Sequence, residues 1–359
     1  MSIIPLPYYT SVYYNLLLFI IIGVYLKIRT QKLQFDGRSS AFVLLGIVVL
    51  YMGLRPISGR YFGDMVTYNR YFEYYATGGA ILNSKDILWH LFMKMCSNIM
   101  TAKSFFLLCS VLYITPLYIA CKKWFGKEMY IPFLMLLASF SFWAYGTNGI
   151  RNGIATSFVI LAFSYGNKKK IKSLLLLVIT FFIHSSIIIP AAAYLITMFY
   201  KNPKYYLRGW LLCIPLSLVL GSFWENFFAS LGFNDERISY LTQGNINNDE
   251  FAYTGFRWDF LIYSASAIYA GYFFILKKKF NDKVYINLFN IYAAANAFWI
   301  LVIRANFSNR FAYLSWFMMA VVIFYPFFKQ QFFKNQPKVL GTVLLLYFGF
   351  TYIMYILTS

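Results

Sequence analysis

A chain of 359 residues that is 60% hydrophobic, only 12% charged and of mean hydropathy +0.59 lies outside the ordinary soluble class, which carries about twice that charged fraction. A net charge of +20 would point a soluble protein toward nucleic acid. Here the Lys and Arg stand in short clusters between apolar runs, so they read as topology determinants, and no nucleic-acid partner is expected.

In chain order, the apolar runs predict an all-α polytopic membrane protein with about 12 transmembrane helices. They lie at 11–28, 40–56, 104–121, 129–146, 150–166, 172–185, 186–200, 209–224, 258–276, 284–302, 310–327 and 339–357. The first run has no basic region before it and no small-residue cleavage site after it, so it reads as a true span. Several runs are shorter than the ~20 residues a perpendicular span usually needs. Residues 172–200 read as a hairpin turning near His184-Ser185-Ser186, because Lys168, Lys169, Lys170 and Lys172 precede them and Lys201, Lys204 and Arg208 follow. The chain 1–359 is expected to form a single integral membrane domain. Residues 55–103 form an outer loop whose amphipathic stretch 84–100 is an interfacial or re-entrant helix, and 225–257 form a second outer loop. Cys96, Cys109, Cys121 and Cys213 lie in or beside apolar segments with no CxxC pair, as buried thiols do.

Basic residues orient this arrangement. The clusters at 27–38, 122–127, 168–172, 201–208, 277–283 and 329–338 hold 21 of the 32 Lys and Arg, and they fall on one side, the cytoplasmic one. That side is rich in Lys and has only Arg29, Arg38 and Arg208. The opposite side carries Arg55, Arg60, Arg70, Arg151, Arg237, Arg257, Arg304 and Arg310. The positive-inside tendency does not place arginines outside. A guanidinium is a planar fork of donors suited to phosphate or carboxylate, so the outer face reads as an anion-binding surface. For any single Arg, snorkelling to lipid or pairing with a loop acid is an equal reading.

Four stretches concentrate the chemistry at that face. They are Gly53-Leu54-Arg55 with Gly63-Asp64 and Tyr68, Gly146 to Ala155 with Arg151 in the first turn of a span, His184-Ser185-Ser186, and Arg304 to Phe311 with Arg304 and Arg310. Together they supply guanidiniums, a carboxylate and an imidazole at one depth. Two histidines 94 residues apart, without paired carboxylates or thiols, make no zinc pattern, and Asp64 has no adjacent acid, so no metal site is expected. No Walker-type, GxGxxG or Gly-x-Ser-x-Gly motif is present.

At these residues the sequence resembles the EpsG family, a branch of the Wzy-like bacterial polysaccharide (O-antigen and exopolysaccharide) polymerases. The resemblance rests on Gly-Leu-Arg with Gly-Asp and Tyr (53–55, 63–64, 68), Ile-Arg-Asn-Gly-Ile-Ala (150–155), His-Ser-Ser (184–186) and Asn-Arg-Phe-Ala-Tyr (309–313). Family members often carry Gln after the central arginine, where this chain has Asn152, and the Gly-Asp spacing is slightly compressed.

The resemblance implies a GT-C-like membrane glycosyltransferase, independent of metal and of any cofactor, in the bacterial cytoplasmic membrane with its active site facing outward. Its substrates would be oligosaccharide repeat units on undecaprenyl diphosphate, with membrane lipid around it and a chain-length regulator admitted as a further partner. Arg151 would stabilise the leaving diphosphate, assisted by Arg304 and Arg310. His184 and Asp64 are both candidates for the general base. Arg55, Arg60 and Tyr68 would bind diphosphate or glycan, or, for Arg55, orient Asp64. A glycan ligase using the same donor, a lipid-linked oligosaccharide flippase and, more weakly, a membrane O-acyltransferase are the competing readings.

Overall fold

The computed structural model describes residues 4–30, 36–82, 85–230, 255–305 and 308–358. Among them every regular element is helical. In hydrocarbon the backbone donors and acceptors must be satisfied within the segment, and a helix does this without a partner strand. The chain divides into two compact units, one formed by Met1–His184 with Phe327–Ser359 and the other by Ser185–Pro326.

The first unit contains α1 (Tyr9–Thr30), α2 (Arg38–Gly53), α3 (Gly59–Phe62), α4 (Met65–Ala76), α5 (Ile87–Ser97), α6 (Ala102–Phe125), α7 (Tyr130–Leu137), α8 (Phe142–Thr147), α9 (Ile150–Tyr165) and α10 (Lys170–Ile183). The C-terminal helix, Gln336–Thr358 (α17 in the numbering used here), returns to it and packs along α1. Tyrosines tie that pair. Tyr352 donates to Asn15 Oδ1 at 2.8 Å, and Tyr355 and Ser11 share a hydroxyl bond of 2.7 Å. Behind it, α2, α6, α9 and α10 pack in succession. α6 starts where Thr101 Oγ1 accepts from the Ser104 N–H and ends at Gly126.

The second unit contains α11 (Ile188–Phe199), α12 (Pro203–Ser230), α13 (Trp258–Gly271), α14 (Lys283–Leu301), α15 (Ser308–Trp316) and α16 (Met319–Phe324). α14 is its centre, begun by Asp282, whose carboxylate accepts from the Val284 and Tyr285 N–H groups. Asn296 on α14 ties three neighbours. Its Oδ1 accepts from Trp210 Nε1 of α12 (2.7 Å), and its Nδ2 donates to Ser315 Oγ of α15 (2.9 Å) and Ser264 Oγ of α13 (3.3 Å). A buried amide satisfied at both ends fixes a unique packing where apolar contacts alone are permissive.

Among the described residues six helices are long and apolar enough to cross a membrane: Leu6–Arg29, Ala102–Glu128, Pro203–Phe228, Trp258–Lys277, Lys283–Leu301 and Gln336–Leu357. A bent pair, Ser308–Trp316 with Met319–Phe328 at 42°, makes up to 7. Their outward side chains are apolar (Phe19, Val219, Ile262, Leu346), as a lipid-facing surface requires. The protein is a multi-pass, all-α membrane protein. The remaining apolar runs fold as shorter pieces: α2 and α9 of 16 residues, α10 of 14 and α11 of 12. The run 129–146 is interrupted between α7 and α8 at Ser139–Ser141.

The break between α10 and α11 falls at His184–Ser186, where the basic clusters put it. Of the stretch 84–100, the described residues from 85 onward contain α5, Ile87–Ser97, an 11-residue helix too short to span. Most of the segment 225–257, expected as a second outer loop, with 234–237 and 245–250, lies outside the described residues.

Candidate functional site

The first two motifs meet inside the first unit. α2 ends at Gly53, and Arg55 turns back beneath it, buried, donating to the Met52 carbonyl and to the Thr147 carbonyl at 3.1 Å. Its guanidinium lies over Phe62 and Phe106, 5.6 and 5.8 Å from the ring centroids. Arg55 therefore braces the α8–α9 turn against the end of α2; its described contacts do not include Asp64.

Gly63, at φ 51, brings the chain against the same turn. A Cβ there would stand 2.5 Å from Asn148 Oδ1, and only glycine lets that oxygen accept from the Asp64 N–H at 2.7 Å. The Asp64 side chain is exposed at the start of α4. Arg60 is also exposed, over the Tyr61 ring at 5.6 Å.

The turn so braced launches α9. Gly153 packs where a Cβ would stand 2.4 Å from the Tyr145 carbonyl oxygen, so α9 starts tight against α8 and fixes where residue 151 leaves the helix. Arg151 lies over the buried Tyr68 ring at 6.0 Å, and Tyr68 packs edge-on to Trp89 at 5.6 Å. Arg151 Nη1 donates to Asp86 Oδ2 at 3.0 Å. The same oxygen meets His184 Nδ1 at 3.2 Å. The Asp86 and His184 side chains are 6% and 7% exposed and Arg151 19%. An arginine, a carboxylate and an imidazole from three distant points of the sequence thus share one buried oxygen.

The second histidine lies on the next turn. His90 Nδ1 is 2.9 Å from the Tyr75 hydroxyl, which accepts from the Leu82 N–H at 3.3 Å. The hydroxyl and His90 Nδ1 thus share one hydrogen bond, whose donor is set by the ring's tautomer. Burial lowers the His90 pKa, the Arg151 charge lowers it further, and Asp86 opposes them.

Asp86 is the site residue that sequence reasoning passed over. It precedes an apolar helix and has the form of a helix cap. In the structure it makes no side-chain cap bond. Its backbone is left-handed (φ 50, ψ 39), and the carboxylate is used by Arg151 and His184 instead.

Arg304 and Arg310 belong to the second unit. Arg304 is exposed, and its Nη2 donates at 3.3 Å to the carbonyl of Leu218, next to the break in α12 at Leu220 (φ −122, ψ 30). It supplies a donor to a carbonyl beside a helix break. Arg310 lies in the first turn of α15, half-buried. Residues 306–307 of that motif lie outside the described ones.

No curated protein and no solved structure matches the chain. The model of the EpsG family matches residues 39–359, which include all four motifs. On that match over most of its length, the chain belongs to the EpsG family.

Proposed function

We propose that the chain is a polysaccharide polymerase. In this reading it joins undecaprenyl-diphosphate-linked oligosaccharide repeat units at the outer face of the bacterial cytoplasmic membrane. Family membership supports polysaccharide polymerase-like activity in general. The observation that carries the mechanism is the meeting of Arg151 and His184 on one oxygen of Asp86, in a chain otherwise poor in charge.

In this reading the acceptor hydroxyl gives its proton to His184 and its oxygen bonds to the anomeric carbon of the donor glycan. The bond from that carbon to the diphosphate oxygen breaks, and the electron pair leaves with the lipid diphosphate. Arg151 stabilises the charge that grows there, where a preformed donor in a water-poor site is most effective. It stands in the first turn of α9, whose end is positive and so favours an anion as well.

His184 is preferred to Asp64 as the base because it is gathered with Arg151. The described contact of Asp64 is through its backbone, and its side chain is exposed. Metal independence follows in this account if guanidiniums neutralise the diphosphate. The GT-C-like arrangement of about 12 spans belongs to the same proposal, the shorter apolar helices supplying the crossings beyond the long ones.

The test is the surface-glycan size distribution of a deletion strain, complemented with wild type or Arg151→Ala at matched membrane expression. A ladder with wild type and single repeat units with Arg151→Ala is the expected result. A full ladder in the uncomplemented deletion strain refutes the polymerase reading. Loss of even single surface units favours export or ligation.

A further inference from the structure

We propose that Asp86 is a positioning residue for the transfer step, holding His184 in the tautomer that carries its proton on Nδ1 and holding the Arg151 guanidinium beside it. This rests on the polymerase reading of the site for the word transfer, but its geometry stands on the structure alone.

An ionised carboxylate only accepts hydrogen bonds. Arg151 donates to Asp86 Oδ2 at 3.0 Å, a charge-assisted contact that keeps the carboxylate ionised. His184 Nδ1, 3.2 Å from the same oxygen, must then be the protonated nitrogen. The neutral imidazole carries its lone pair on Nε2, the atom that takes a proton when the ring acts as a base. Because one oxygen serves both partners, the guanidinium and the imidazole are held two hydrogen bonds apart, so the place of Asp86 Oδ2 sets the place of both.

The backbone is shaped for this use. Asp86 stands at φ 50 and ψ 39, a region where Asp and Asn are the side-chain-bearing residues most often found. Its carbonyl still accepts from the Trp89 N–H at 2.8 Å, so α5 begins normally while the carboxylate turns away from the helix end. A cap residue with an extended backbone would aim its carboxylate at the first-turn N–H groups instead. Unusual backbone held in place by surrounding contacts clusters where geometry has a function.

Two histidines in the whole chain make the tautomer directly readable. The experiment is nitrogen-15 NMR of full-length protein labelled at histidine, in lipid nanodiscs, with His90→Gln assigning the two rings. The expected spectrum has His184 protonated at Nδ1 in wild type and shifted toward the Nε2-protonated form in Asp86→Ala. Alongside, Asp86→Asn, which suits the same backbone region, is expected to lower kcat on the order of 10²–10⁴-fold with KM near wild type.

A wild-type His184 protonated at Nε2 overturns the proposal, and this measurement needs no variant to fold. Asp86→Asn raising KM with kcat unchanged also overturns it. The tautomer is read without turnover, so failure of the polymerase reading appears in the glycan ladder and failure of the positioning role appears here.

Discussion

Removing Arg151 tests the site at its most charged point. In Arg151→Ala the Asp86 carboxylate, 6% exposed, keeps only His184 of the two partners described on Oδ2. Two unit charges 3.0 Å apart attract by about 5 kcal/mol at an effective dielectric of about 20, a ceiling from which desolvation is subtracted. Breaking one side of a buried pair typically costs about 3–5 kcal/mol, because the remaining charge is stranded. Arg151 retains 19% exposure, so the lower end, about 3 kcal/mol, applies here. Thermal unfolding of purified protein in detergent micelles should show a clear loss of stability for Arg151→Ala and partial recovery for Arg151→Lys. Activity should recover in neither, because an ammonium is a point charge without the planar fork that serves a carboxylate and a diphosphate together. An Arg151→Ala protein that melts like wild type refutes the buried pair. An Arg151→Lys protein as active as wild type refutes the need for the fork.

Three further outcomes follow from the packing. Gly153→Ala places a Cβ 2.4 Å from the Tyr145 carbonyl, so α9 must shift; a stability loss of about 1–3 kcal/mol with reduced polymerisation is expected, and unchanged glycan length would contradict the placement of Arg151 by that contact. Asn296→Leu takes the acceptor from the Trp210 N–H, while Ser315 Oγ keeps its bond to the Ala312 carbonyl and Ser264 Oγ its bond from Trp316 Nε1; a loss of about 1–3 kcal/mol is expected, and a melt equal to wild type would contradict the network. His90 has its pKa depressed by burial below the usual 6.5, so the folded state favours the neutral ring. Its stabilisation is present above the unfolded pKa of about 6.5 and is lost as pH falls from there through the folded value. His90→Gln should flatten the fall in stability below about pH 6.5, and an unchanged profile would count against a His90 pKa lowered by burial.

The membrane class was legible from composition because hydrocarbon admits few backbone solutions, and the break at His184 was legible from basic clusters on both sides of residues 172–200. Arg151 in the first turn of a helix was also readable, from the glycines around it. Span number was harder to read. Hydropathy registers an apolar run such as 129–146 without registering that its backbone breaks at Ser139–Ser141. Asp86 was hidden because an acid before an apolar helix looks like a cap, and only the left-handed backbone turns its carboxylate elsewhere. Arg55 reads in the sequence as a ligand group, and what the sequence does not show is that two of its donors reach the Met52 and Thr147 carbonyls, partners set by how α2 meets the α8–α9 turn.

The most direct test of the central claim uses purified wild type and His184→Gln in liposomes, supplied with undecaprenyl-diphosphate-linked repeat units. New glycosidic linkages are counted against lipid diphosphate released. The account predicts a ladder with one diphosphate released per linkage for wild type, and a loss on the order of 10²–10⁴-fold for His184→Gln. A ladder of equal rate with His184→Gln, or substrate crossing the bilayer without any linkage formed, would contradict it.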